Sequence, residues 1–152
     1  GAIEAGVAKV RINPGNLGAE AFLRVLDAAG ARGAAVRIGV NSGSVPMDLI
    51  ETFGGPTPGA LVEAAARYVA IAERRGFTAI VLSLKSSDTL CNLRAYRRAA
   101  DRFRYPLHIG VWLNIDGGGV LHAVRHAGVV FQTLAALDAH GWRVDSVMRF
   151  KN

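Results

Sequence analysis

Two hydrophobic rhythms alternate along this chain. In five short runs, rich in β-branched residues, apolar side chains recur at every second position: Lys9–Asn13, Ala35–Asn41, Ala79–Lys85, Pro106–Trp112 and Arg143–Phe150. A period of two puts neighbouring side chains on opposite faces and predicts strands. Longer stretches with helical spacing lie between them. The first aligns Phe22, Val25, Leu26 and Ala29 and stops at Gly30 or Gly33. The second opens at Thr57-Pro58, a hydroxyl cap before a proline, and carries Leu61, Ala65, Tyr68, Val69 and Ala72 to a stop at Gly76. The third starts near Ser87 or Asp88 and turns Leu93, Tyr96, Ala100 and Phe103 inward. The fourth follows Gly117–Gly119, with Val120, Val124, Ala127, Phe131 and Leu134 on one side, and stops at Gly141. A short helical turn is predicted over Pro46–Phe53.

Strand–helix alternation predicts an α/β fold with parallel strands joined by helical crossovers. A single domain over residues 1–152 is expected. Two architectures fit five such units. One is a partial TIM barrel, since a whole one takes about 250 residues. The other is a five-stranded, flavodoxin-like doubly wound sheet.

The strands carry a second signal. Parallel strands covered on both faces normally read as continuous apolar runs. Here Val10 and Ile12 oppose Lys9, Arg11 and Asn13, and Val36, Ile38 and Val40 oppose Arg37, Gly39 and Asn41. Ile80, Leu82 and Leu84 oppose Val81, Ser83 and Lys85, and Leu107, Ile109 and Val111 oppose His108, Gly110 and Trp112. The amphipathic helices must cover the apolar faces, which leaves the polar faces looking toward one another. Arg11, Arg37, Lys85 and His108 then converge, and clustered charges of one sign call for an anion. A phosphate or diphosphate is the ligand expected, with paired donors from arginine and a point charge from lysine. A solvated sheet face, or a local carboxylate for each base, would explain one such strand more simply than four.

Composition narrows the class. The 152 residues include 18 Lys+Arg against 12 Asp+Glu, a formal net charge of +6, which favours an anionic partner. A chain that is 51% hydrophobic and 20% charged is not disordered. No apolar run approaches the roughly 20 residues that cross a bilayer. The opening Gly1-Ala2-Ile3-Glu4 has neither the basic start nor the apolar core of a secretory signal, and reads as the interior of something longer. A cytoplasmic location is expected, or a plastid one in a eukaryote. A single cysteine, Cys91, excludes an internal disulfide framework and any zinc or iron–sulfur site built from several local thiolates.

The strand ends resemble a known family. Lys9-Val-Arg-Ile-Asn-Pro-Gly-Asn16 is similar to a [KL]-[LV]-R-I-N-P-G-N block of the 4-hydroxy-3-methylbut-2-enyl diphosphate synthases. Val36-Arg-Ile-Gly-Val-Asn-Ser-Gly-Ser44 resembles that family's R-I-G-V-N-[AS]-G-S block, and Ser83-Leu-Lys-Ser-Ser-Asp88 its S-[VL]-K-[AS]-S-D block. Tyr96-Arg97 and Pro106-Leu-His-Ile-Gly-Val111 follow in the same order, and Ala2–Val7 resembles the helix end before the first block. The likeness covers about residues 2–111 and implies the middle of a TIM barrel, with strands missing at both ends.

The activity implied is reductive ring opening of 2-C-methyl-D-erythritol 2,4-cyclodiphosphate, with two electrons from flavodoxin or ferredoxin. The family holds a [4Fe-4S] cluster on three cysteines and a glutamate in a C-terminal domain outside this chain, and a homodimer of the full-length enzyme is implied. The resemblance assigns Arg11, Arg37, Asn41 and Lys85 to the cyclic diphosphate. It gives Asn13 a structural turn role and His108 a part in packing or orienting the site. After Val111 the chain departs from the family pattern: where the family has Thr-Glu-Ala-Gly, this chain has Trp112-Leu-Asn-Ile-Asp116, and Asp116 does not align with the glutamate. Turnover by this chain alone is therefore not expected.

Other features have blander readings. His122 and His126, four apart on a predicted helix, lie off its apolar stripe and read as solvated rather than metal-bound. Gly117–Gly119 is equally a phosphate-binding helix start or a plain loop. Cys91 reads as a semi-buried packing residue. Arg94, Arg97, Arg98, Arg102 and Arg104 read as a solvated helix face rather than a nucleic-acid surface, since no recognition module accompanies them.

Overall fold

The computed structural model describes residues 1–109. Strand β1 (Lys9–Ile12) leads through a one-turn helix α1 (Pro14–Leu17) into α2 (Ala19–Arg32). Strand β2 (Ala35–Asn41) is followed by a 3₁₀ turn (Ser42–Ser44) and two helices, α3 (Met47–Phe53) and α4 (Pro58–Arg74). Strand β3 (Ile80–Lys85) leads into α5 (Thr89–Arg102). The strands are parallel, in the order β1-β2-β3, and a further parallel bridge joins Leu82 to Leu107 beyond β3. Sequence neighbours are thus spatial neighbours throughout, as in a barrel wall. A flavodoxin-like sheet reverses its strand order near the first strand, so that alternative does not describe this chain.

Local chemistry accounts for the element ends. Asn13 terminates β1 instead of extending it, because its side chain accepts from the Gly15 N–H and caps α1, with Pro14 at the first helical position. Gly33, at φ 65°, closes α2 in the left-handed region, so Gly30 lies inside that helix. The Thr57 hydroxyl accepts from the Ala60 N–H to start α4, and the Asp88 carboxylate accepts from the Leu90 N–H to start α5. Strand β3 begins at Ile80, one residue later than its alternation predicts. Of the predicted Pro106–Trp112 strand, the described residues contain only the Leu107 bridge. The predicted fourth helix and fifth strand, with Gly117–Gly119, His122 and His126, lie outside the described residues.

The core lies between the apolar sheet face and the helices. Val36, Ile38, Val40, Leu82 and Leu84 are completely buried, with Phe22, Leu26, Leu61, Ala65 and Ala99 against them. Each large side chain buried this way contributes about 1.5–3 kcal/mol. One predicted stripe is rotated. On α5 the buried residues are Cys91, Asn92, Ala95, Tyr96 and Ala99, whereas Leu93 and Ala100 are half-buried. Tyr96 and Phe103 are buried as the spacing predicts, but Asn92 shifts the rest of the face, since its amide turns inward to bond the Ser86 backbone, a demand that apolar spacing could not reveal. Arg94, Arg97, Arg98, Arg102 and Arg104 are exposed.

Candidate functional site

The face opposite the core holds the polar residues of the three strands. Register makes Arg11 the neighbour of Arg37, which pairs in turn with Val81. One layer nearer the strand ends Gly39 faces Ser83, and above them Asn41 faces Lys85. Side chains paired in a parallel ladder share a face. Arg11, Arg37, Asn41 and Lys85 therefore share one face, with Asn41 and Lys85 at the strand ends where α/β folds bind ligands and the two arginines two layers deeper. The Leu82–Leu107 bridge brings His108 to the same face beside Ser83, and the His108 N–H donates to the Leu82 carbonyl at 2.7 Å.

Gly39 lets the guanidinium of Arg11 lie across β2. A Cβ at Gly39 would sit 3.4 Å from Nε and 3.7 Å from Nη2 of Arg11, and 3.2 Å from the Ile12 carbonyl oxygen. The missing side chain is the space this guanidinium uses, so it reaches the layer of Ser83 instead of stopping beside Arg37.

The arginine–carboxylate pairs among the described residues are Arg24–Glu20, Arg67–Asp48, Arg75–Asp27 and Arg102–Glu63, all between helices or along one. Neither Arg11 nor Arg37 takes part in them. Burial pushes the Arg37 guanidinium below its ordinary value, and the Arg11 charge adds to this. Burial likewise lowers Lys85, helped by Arg11 and then Arg37. His108 is lowered by burial and then by Arg37, Lys9 and Lys85. The same cations recur as each other's perturbers, which marks a continuous positive field. Such a field is unfavourable until an anion enters. Three buried polar atoms on this face make no hydrogen bond among the described residues: Arg37 Nε, Ser83 Oγ and Asn41 Oδ1. The last faces the Ser44 N–H in a capping-box arrangement without closing a bond of full geometry.

The loops that carry these residues are tied down. Asn13 Nδ2 donates to Ser44 Oγ at 2.9 Å, and Ser44 Oγ accepts from the Asn41 N–H and donates to the Asn41 carbonyl, both at 3.1 Å. Gly15 packs so tightly there that a Cβ would stand 2.4 Å from the Ser44 carbonyl oxygen. Beyond β3, Asn92 accepts from the Ser86 N–H at 2.7 Å and donates to the Ser86 carbonyl at 2.8 Å, fixing the turn that follows Lys85. The Tyr96 hydroxyl accepts from the Leu84 N–H at 3.0 Å and donates to the His108 carbonyl at 2.6 Å. The sequence assigned none of Ser44, Ser83, Asn92 and Tyr96 to the site: Ser44 and Tyr96 stood only in the family-like blocks and, for Tyr96, in the inward helical stripe, Ser83 was a polar residue between Leu82 and Leu84, and Asn92 left no signal.

Among the described residues no three His, Cys, Asp or Glu gather as a metal site, and no helix is long and apolar enough to cross a membrane. Cys91 is buried, with its thiol 3.7 Å from the Pro56 carbonyl oxygen.

Comparison with known proteins gives these positions a context. Residues 1–134 match the family model described as the GcpE TIM-barrel domain, a match that runs past Val111. Over 111 residues the chain is 53% identical to a 4-hydroxy-3-methylbut-2-en-1-yl diphosphate synthase (flavodoxin) of Nitratidesulfovibrio vulgaris, covering 72% of this chain and 29% of that protein. The synthase of the same name from Thermodesulfovibrio yellowstonii is 50% identical over 111 residues, 72% of this chain and 32% of the relative. That of Malacoplasma penetrans is 49% identical over the same length, 72% of this chain and 30% of the relative. The chain thus spans about three tenths of the length of these curated relatives.

Proposed function

The chain belongs to the GcpE TIM-barrel domain family, and from that premise we propose that it is the substrate-binding part of the barrel of a 4-hydroxy-3-methylbut-2-en-1-yl diphosphate synthase. The observation that carries this reading is the cationic face on which neither Arg11 nor Arg37 enters a carboxylate pair among the described residues. Arg11 and Arg37 stand side by side, Lys85 lies two layers nearer the strand ends on the same face, and Arg37 keeps a buried N–H without an acceptor among the described residues.

The ligand is the cyclic diphosphate, 2-C-methyl-D-erythritol 2,4-cyclodiphosphate. Arg11 and Arg37 give it paired donors, Lys85 gives a point charge and Asn41 a neutral hydrogen bond. Asn13 shapes the loop at the end of β1, and His108 supports the site from the neighbouring segment. The reaction of the whole enzyme is a two-electron reductive ring opening. Flavodoxin, which the relatives' names carry, is the electron donor proposed, with ferredoxin as its counterpart. The enzyme is proposed to act as a homodimer in the cytoplasm.

A [4Fe-4S] cluster does not fit the described residues. They hold no three-ligand group, and the chain has a single cysteine. No redox step is therefore assigned to these residues; they bind and orient. This chain alone is expected to bind and not to turn over.

The test is Arg37→Ala in an intact homologous synthase, with substrate affinity measured by calorimetry. The expected result is loss of tight binding, a hundredfold or so, as for removal of one charge-assisted, paired contact. Unchanged affinity would refute the assignment.

A further inference from the structure

Ser83 sits in the middle of β3, 1% exposed, between the buried Leu82 and Leu84. Its Oγ has no hydrogen-bond partner among the described residues. A methyl group would fill such a position without cost, whereas a buried hydroxyl left unbonded is destabilising. A second buried donor on the same face, Arg37 Nε, is unmet as well. Register sets Ser83 beside Gly39, which offers no side chain, and the space over Gly39 is filled by the Arg11 guanidinium. Ser83 thus lies in the layer that this guanidinium reaches, directly beneath the Asn41–Lys85 pair.

We propose that Ser83 is a further ligand-binding residue, whose hydroxyl and the Arg37 Nε–H complete their hydrogen bonds on the innermost oxygen of the bound diphosphate. This rests on the anion-site reading above and extends it to a residue that carries no charge. Cations draw the anion in but leave its depth and rotation loosely defined, because a charge acts over a distance and from many directions. A fixed neutral donor on a strand is directional. Ser83 therefore sets how far the phosphate descends into the barrel. Its cost to the ligand-free fold is the usual mark of a residue kept for binding.

That cost gives the experiment its sign. The full chain and its Ser83→Ala variant are titrated with inorganic diphosphate by calorimetry, and each is melted without ligand. Ser83→Ala is expected to bind diphosphate roughly tenfold more weakly or worse, the usual worth of a hydrogen bond to a charged group. Its ligand-free Tm is expected to equal or exceed that of the parent. Ser83→Thr keeps the hydroxyl and is expected to stay within a few-fold of the parent affinity. Parent-like binding by Ser83→Ala, or a lowered ligand-free Tm, overturns the proposal and gives the hydroxyl to the fold through a bound water. If Arg37→Ala loses diphosphate while Ser83→Ala does not, the anion site stands and the Ser83 assignment alone fails. If the parent chain binds no diphosphate, both fall.

Discussion

His108 shows how one side chain registers the field around it. Its ring is half-buried, and burial followed by the charges of Arg37, Lys9 and Lys85 holds its pKa below the ordinary 6.5. Between that lowered value and 6.5 the unfolded chain takes up a proton that the folded chain refuses. Stability is therefore lost as pH falls through 6.5 toward the folded value, and this contribution is level on either side of the window. His108→Gln is expected to flatten the profile of Tm against pH just below pH 6.5. A variant that keeps the parent's slope there would show that another group titrates. Asp27 and Asp48, held low by hydrogen bonds from Arg75 and Arg67, act below their ordinary 3.8 and do not confuse the measurement. The arginines, the lysine and the histidine were all legible in the sequence as a polar half of each strand. Ser83 was legible only as an oddity, because a serine between leucines does not say whether its hydroxyl has found a partner.

At the level of elements, α5 does more than cover the sheet. Its Tyr96 hydroxyl links β3 to the segment after the helix, and its Asn92 clamps the turn beyond Lys85. Tyr96→Phe leaves the Leu84 N–H and the His108 carbonyl without this partner, at about 1–3 kcal/mol for each buried group left unpaired. The expected outcome is a lower urea midpoint with faster amide exchange at Leu84. A loss under about 0.5 kcal/mol, the range of an inert surface change, would show that the bridge is replaceable. The existence of α2, α4 and α5 followed from apolar spacing and cap chemistry, and Gly33 and Thr57 marked their ends correctly. The facing of α5 followed only in part. Its apolar pattern placed Tyr96 and Phe103 inward, as they are, and also Leu93 and Ala100, whereas Asn92, whose amide bonds the Ser86 backbone, turns the face toward Asn92 and Ala95. Hydrophobic periodicity counts apolar residues and is blind to a buried amide that satisfies a loop.

For the molecule as a whole, charge is the governing quantity. The cations of the polar face repel one another, so a bound diphosphate should stabilise the fold beyond simple occupancy of a neutral cleft. At a hundredfold excess over Kd, ligand binding alone adds about 2.7 kcal/mol. That corresponds to a rise in Tm of roughly 5–15 °C for a domain of this size. The rise is expected to shrink strongly near 1 M salt, where the Debye length falls to about 3 Å. A shift insensitive to salt would mean that the ligand is held by something other than this field. Strand β1 is short, and among the described residues it pairs only with β2.

By itself the sequence determined the alternating α/β elements, the helix caps and the two-faced strands, because each depends on residues within a few positions of one another. It also determined the family, through ordered blocks at the strand ends. Only the tertiary structure decided the strand order, which separates a barrel wall from a reversing sheet, since pairing between distant segments leaves no local trace. The same holds for the site. The parity of each strand was readable, but the register that sets Arg11 beside Arg37 and Ser83 beside Gly39, and the empty Cβ position that receives a guanidinium, exist only once separate segments are brought into contact.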